Sequence, residues 1–81
     1  MAVYEKTVKT NKADILNKAK KFFGPGGEGL VMTGEEDCCL SFEGGGGHVA
    51  VALSDTAKGK VKVEAETREW DYQVRQFLSS I

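Results

Sequence analysis

The sequence predicts an α+β domain of order β-α-β-β-β-α: a four-stranded, mainly antiparallel sheet with two helices packed on one face. Three observations predict it. Apolar residues repeat at helical spacing in two stretches, 15–23 and 70–81. Between them, short segments alternate apolar and polar residues with the period of a strand. Four glycines, Gly44, Gly45, Gly46 and Gly47, separate two of those segments and mark a hairpin tip.

Residues 3–10 alternate and are rich in Val, Tyr and Thr, which reads as a strand. Its facing is ambiguous. Tyr4 and Val8 share a side with Lys6, and Val3 and Thr7 share the other with Glu5 and Lys9. An edge strand tolerates that mixture. Asn11 reads as a helix cap with Asp14 in the capping-box place. Ile15, Leu16, Ala19, Phe22 and Phe23 form the apolar stripe of the helix that follows. Gly24 is expected as its left-handed C′ residue, and Pro25 blocks continuation. Gly26, Gly27 and Gly29 make a flexible connector.

Residues 30–33 form the next strand, and 34–37 a turn. The hairpin strands are 38–43 and 48–53. A polar turn at 54–59 leads to the last strand, 60–66. Thr67 is the expected cap of a final helix with Trp70, Val74, Phe77, Leu78 and Ile81 on one stripe. Helix one would return the chain parallel to the first strand by a right-handed crossover if the strands on either side of it are adjacent. Pattern alone leaves the first strand beside either 30–33 or 60–66.

A four-residue loop sets the hairpin register. Glu43 faces His48, Phe42 faces Val49, Ser41 faces Ala50, Leu40 faces Val51, and Cys39 faces Ala52. Extended to the last strand, Leu53 faces Val61, Val51 faces Val63 and Val49 faces Ala65. One face then collects Leu30, Met32, Cys38, Leu40, Phe42, Val49, Val51, Leu53, Val61, Val63 and Ala65, the core that the helical stripes cover. The other collects Val31, Cys39, Ser41, Ala50 and Ala52, edged by Glu43, His48, Lys60, Lys62, Glu64 and Glu66.

Size bounds what such a chain can do. With 81 residues it is one domain with one modest core. A domain this small buries only about 60–65% of its unfolded surface, so a staple or a partner adds much to its stability. The net charge is −1, without the basic excess of a nucleic-acid binder. The charge is uneven. Residues 1–27 carry six lysines against Glu5 and Asp14, net +4. Residues 28–55 carry six acids and no Lys or Arg, net −6. Complementary halves could favour contact between copies, and solvated faces explain them equally well. No apolar run reaches the roughly 18 residues of a membrane span. No charged leader precedes an apolar segment, so the expectation is a cytoplasmic protein without membrane or nucleic-acid partners. Cys38 and Cys39, as strand neighbours, would point to opposite faces and not bond to each other, which fits a reducing compartment.

Candidate chemistry is sparse. His48, the single histidine, would lie between Glu43 and Glu66, an arrangement of a general acid or of a surface ion cluster. Cys39 lies four residues down the neighbouring strand, about 13 Å from it, and supplies no nucleophile. Cys38 is expected to pack inward as a small hydrophobe. No C-x-x-C pattern, cofactor motif or converging metal-ligand set is legible. The glycine run lacks the helix and the Lys-Ser or Lys-Thr pair of a phosphate loop. Four glycines exceed what a turn needs, and the surplus suggests that a backbone, partner or ligand comes close at the tip. The helix-one lysines carry no interleaved aromatic for nucleic acid. Trp70 reads as a core anchor.

Phe42-Glu43-Gly44-Gly45-Gly46-Gly47-His48-Val49, the stretch 66–74 around Trp70, and Tyr4-Glu5-Lys6-Thr7 resemble a group of short uncharacterised prokaryotic proteins along the whole chain. That group brings no assigned activity. In layout, an antiparallel sheet gripping a C-terminal helix is similar to a reduced helix-grip (START-like) domain. Such domains hold apolar ligands between sheet and helix. This chain has half their strands and little room, so no ligand-binding residues carry over.

The expected function is therefore a small non-enzymatic domain acting through self-association or partner binding, with a homodimer the leading form. Its candidate binding residues are Glu43, Gly44, Gly45, Gly46, Gly47 and His48 at the tip, with Cys39, Ala50 and Ala52 on the bare face. The alternative is a binder of a small apolar ligand among Trp70, Phe77, Phe22 and the sheet.

Overall fold

The computed structural model describes all 81 residues, Met1–Ile81. The elements are β1 (Ala2–Val8), α1 (Lys12–Phe23), β2 (Val31–Glu35), β3 (Cys39–Gly44), β4 (Gly47–Asp55), β5 (Val61–Arg68) and α2 (Asp71–Ser80). They build an α+β domain with both helices on one side of a single sheet. The sheet has five strands, one for each of the five extended segments read in the sequence, so the four-strand count and the order β-α-β-β-β-α fall one strand short. Its order is β1-β5-β4-β3-β2, and every neighbouring pair is antiparallel. Every extended segment of the sequence finds a partner. β2 stays paired through an irregularity between Met32 and Gly34 that re-aims its side chains.

β1 and β2 lie at opposite edges, so no parallel crossover joins them. β1 takes the edge beside β5, and its facing is resolved there. Tyr4, Lys6 and Val8 pair with Ala65, Val63 and Val61 and turn toward the helices. A lysine on that side is satisfied because its ammonium donates to the Leu78 and Ile81 carbonyls, each at 2.9 Å, at the C-terminal end of α2. The Tyr4 hydroxyl donates to Asp71 Oδ2 at 2.6 Å, at the other end of that helix. One edge strand thus fixes both ends of α2.

α1 starts as expected, with the Asp14 amide donating to Asn11 Oδ1 at 2.9 Å. Its exit differs. Gly24 is extended, at φ −80° and ψ −165°, and donates to the Lys20 carbonyl. The connector then folds back, and the amides of Glu28 and Leu30 donate to the Phe22 and Phe23 carbonyls. α2 is capped differently too. It begins after Trp70, and Thr67 belongs to β5 instead, one residue before the strand ends at Arg68. The Thr67 hydroxyl donates to the His48 carbonyl and accepts the Trp70 amide.

The core is one cluster centred on Ile15, Phe23, Phe42, Val49, Val51, Val63 and Phe77. Phe23 stands 5.6 Å from Phe42 and 5.3 Å from Phe77, ring centre to ring centre, and Phe22 stands 5.7 Å from Phe77. These rings fill the space between sheet and helices. The β3–β4 register is the expected one. The β4–β5 register is offset by two residues: Leu53 faces Val63, Val51 faces Ala65 and Val49 faces Thr67. A shift of two preserves the face of every side chain, so the same residues enter the core. Two expected core residues stay outside it. Cys38 is exposed in the turn before β3, and Met32 is 38% exposed on the edge strand.

Candidate functional site

The hairpin tip is tighter than a four-residue loop. Gly44 and Gly47 pair, and only Gly45 and Gly46 turn, at φ +57° and +79°. Positive φ at both central residues is the signature of a type I′ hairpin turn, which only glycine and a few polar residues adopt readily. The other two glycines make room within the chain. A side chain on Gly47 would overlap the Arg68 carbonyl, and one on Gly44 would come within 2.5 Å of Leu30 Cδ2. The Trp70 indole lies over Gly45, and its Nε1 donates to the Gly44 carbonyl at 2.9 Å. The close neighbours of the tip are thus this molecule's own Trp70, Arg68 and Leu30.

His48 faces Glu43 on β3, as the hairpin register requires. Across β5 it faces Arg68 rather than Glu66, because of the two-residue offset. Its Nε2 still reaches Glu66 Oε1, at 3.4 Å along the diagonal. Cys39 lies opposite Ala52, far along the sheet from this pair, and no hydroxyl or thiol is placed against the imidazole.

The sheet face away from the helices is uncovered. Its centre is small: Ser41 beside Ala50, and Cys39 beside Ala52. A shallow depression over these residues is bordered by Gly34 and Glu36, and a second one joins Ala50 and Ala52 to Val3, Glu64 and Glu66. Val3 is 58% and Val31 66% exposed at the two edges. Charges frame the β5 and β1 side. Lys62 lies 3.3 Å from Glu5 and 3.5 Å from Glu64, and the pair with Glu5, reinforced by Glu64, raises the Lys62 pKa above its ordinary value.

Cys38 and Cys39 form a disulfide, contrary to the expectation of unpaired thiols. That expectation assumed both on a strand. β3 begins only at Cys39, and Cys38 belongs to the bend that closes the β2–β3 connection, so the two side chains converge. The amides and carbonyls of Glu36 and Cys39 bond reciprocally across this bend, at 2.9 and 3.2 Å. A sequence signal existed: Gly34-Glu35-Glu36-Asp37 already reads as a turn, and the turn extends one residue into the cysteine pair.

The fold and this face define a two-layer α+β domain with one open sheet surface. No protein-family model matches the chain, and no curated protein matches it. No helix is long and apolar enough to cross a membrane.

Proposed function

We propose that the protein is a non-enzymatic domain that works by self-association, two copies packing their open sheet faces together. The observation that carries this reading is the row of small residues, Ser41, Ala50, Cys39 and Ala52, in the middle of an uncovered five-stranded sheet. Small side chains let a second sheet approach to the roughly 10 Å of packed sheets. Five strands at about 4.8 Å spacing and six residues of about 3.3 Å rise give a face near 24 by 20 Å, or about 500 Å² per copy. Two copies reach about 1,000 Å², where specific interfaces begin. Lys62, Glu64 and Glu66 on β5 and Glu5 on β1 lie within that area, so the two-fold arrangement has to set each copy's Lys62 against the partner's carboxylates.

The alternative, a small apolar ligand between sheet and α2, needs space that Phe22, Phe23, Phe42 and Phe77 fill. The capped helix and antiparallel sheet support the likeness in layout to a reduced helix-grip domain, without supplying a cavity.

Ala52→Arg tests the reading. Residue 52 is exposed, so the monomer folds unchanged. At a two-fold interface the variant would bury unpaired charge near its own copy, weakening the dimer by about a hundredfold or more. Size-exclusion chromatography reads the result, and an elution volume equal to wild type at every concentration rules this interface out.

A further inference from the structure

We propose that the bend at residues 36–39 is a redox-gated site for a thiophilic divalent cation, with zinc the best match. In the reduced protein the ion is held by the Cys38 and Cys39 thiolates and one Glu36 carboxylate oxygen. In the oxidised chain, where the two sulfurs are bonded to each other, the three ligand atoms lie within 4.8 Å of one another, which brings the Glu36 carboxylate next to the cysteine pair. They converge for a structural reason. The reciprocal backbone bonds place Glu36 directly opposite Cys39, which puts both side chains on one face, and the bend turns Cys38 back toward them. Tetrahedral zinc with sulfur bonds of about 2.3 Å needs thiolates about 3.8 Å apart, a spacing adjacent sulfurs reach once their bond is broken. Two thiolates and a carboxylate form a mixed soft and hard donor set, which favours zinc over calcium or magnesium. Three protein ligands leave the fourth position to water. Glu35 and Asp37 flank the bend, and this acidic run raises the local cation concentration.

The chemistry balances simply. A dithiol reductant transfers two electrons and two protons to the S–S bond, leaving two thiols and the reductant as a disulfide. Zinc then displaces the two thiol protons to solvent and forms two Zn–S bonds. A disulfide oxidant that takes two electrons from the thiolates restores the Cys38–Cys39 bond and expels the ion. Metal and disulfide are mutually exclusive occupants of one bend. The proposal does not rest on the sheet-face dimer, but Cys39 lies on that same face, and repeating the titration in Ala52→Arg, which breaks the pairing, separates the two.

The test is a zinc titration against a chromophoric chelator, on the full chain either oxidised or reduced with a small dithiol and desalted without air. The reduced protein binds one zinc per chain and the oxidised protein none. Cobalt in place of zinc shows thiolate-to-metal charge-transfer absorption in the near ultraviolet. Glu36→Gln weakens zinc by at least about tenfold, the lower end of what losing even an outer partner costs. Asp37→Asn changes affinity by less than about fivefold, the size of a surface-charge effect. Cys38→Ser sits on an exposed residue, keeps the far-ultraviolet spectrum of the fold, and abolishes binding. Equal zinc uptake by the oxidised protein or by Cys38→Ser, or no uptake by the reduced protein, overturns the proposal.

Discussion

Glu69 is the one non-glycine residue with positive φ, at 77°, at the turn from β5 into α2. A side chain there costs on the order of 1 kcal/mol, which glycine avoids. Glu69→Gly therefore stabilises the protein slightly, by up to about 0.5 kcal/mol, once the roughly 0.4–1 kcal/mol of added unfolded-chain freedom is subtracted. A raised urea midpoint with unchanged slope is the expected reading. The hairpin glycines grade in the opposite sense. Gly46 has positive φ and open space around it, so Gly46→Ala costs about 1 kcal/mol. Gly47→Ala costs more, on the order of 2–3 kcal/mol, because its methyl meets the fixed backbone of Arg68. Equal costs at the two positions would contradict this division. That these glycines end a hairpin was legible in the sequence. What each makes room for was not, because Trp70 and Arg68 lie more than twenty residues away along the chain.

At the scale of elements, strand and helix existence followed from periodicity, while positions set by distant partners did not. β1 shows why. Lys6 beside Tyr4 and Val8 blurs its alternation, and only the carbonyls at the end of α2 explain a lysine there. The hairpin register was readable because a tight turn fixes it. The β4–β5 register was not, because the longer turn between those strands allows an offset of two without exposing a core residue. The same attachment of β1 makes a pH prediction. The bond to Asp71, helped by partial burial and the Asp71 charge, raises the Tyr4 pKa above its ordinary value. The pair with Glu5 raises that of Lys62. Both groups hold their proton more tightly folded than unfolded. Their stabilisation is complete below the unfolded values and is lost as pH climbs through the folded ones. The thermal midpoint therefore falls from about pH 10 upward. Tyr4→Phe, which has no phenol to titrate, lowers the neutral-pH midpoint and makes that alkaline decline shallower. A Tyr4→Phe profile parallel to wild type would rule out Tyr4 as a source of the decline.

The whole molecule is a half-covered sheet. Helices close one face around a single aromatic-rich cluster, and the other face is left to solvent or to a partner. The division of residues between faces was legible in the alternation of the sequence, because a shift of two in register leaves it intact. The bare face gained Val3, Glu5 and Thr7 from β1, whose position no local pattern defines. A domain of this size gains most from covering its bare face, and the small residues at the centre suit a second sheet better than bulk water. The most direct test is a native mass spectrum of gently purified wild-type protein at micromolar concentration. Pairing through the sheet face predicts twice the chain mass, collapsing to the single-chain mass in Ala52→Arg. A wild-type spectrum of single chains at that concentration, above all one carrying the added mass of a small organic molecule, would contradict it.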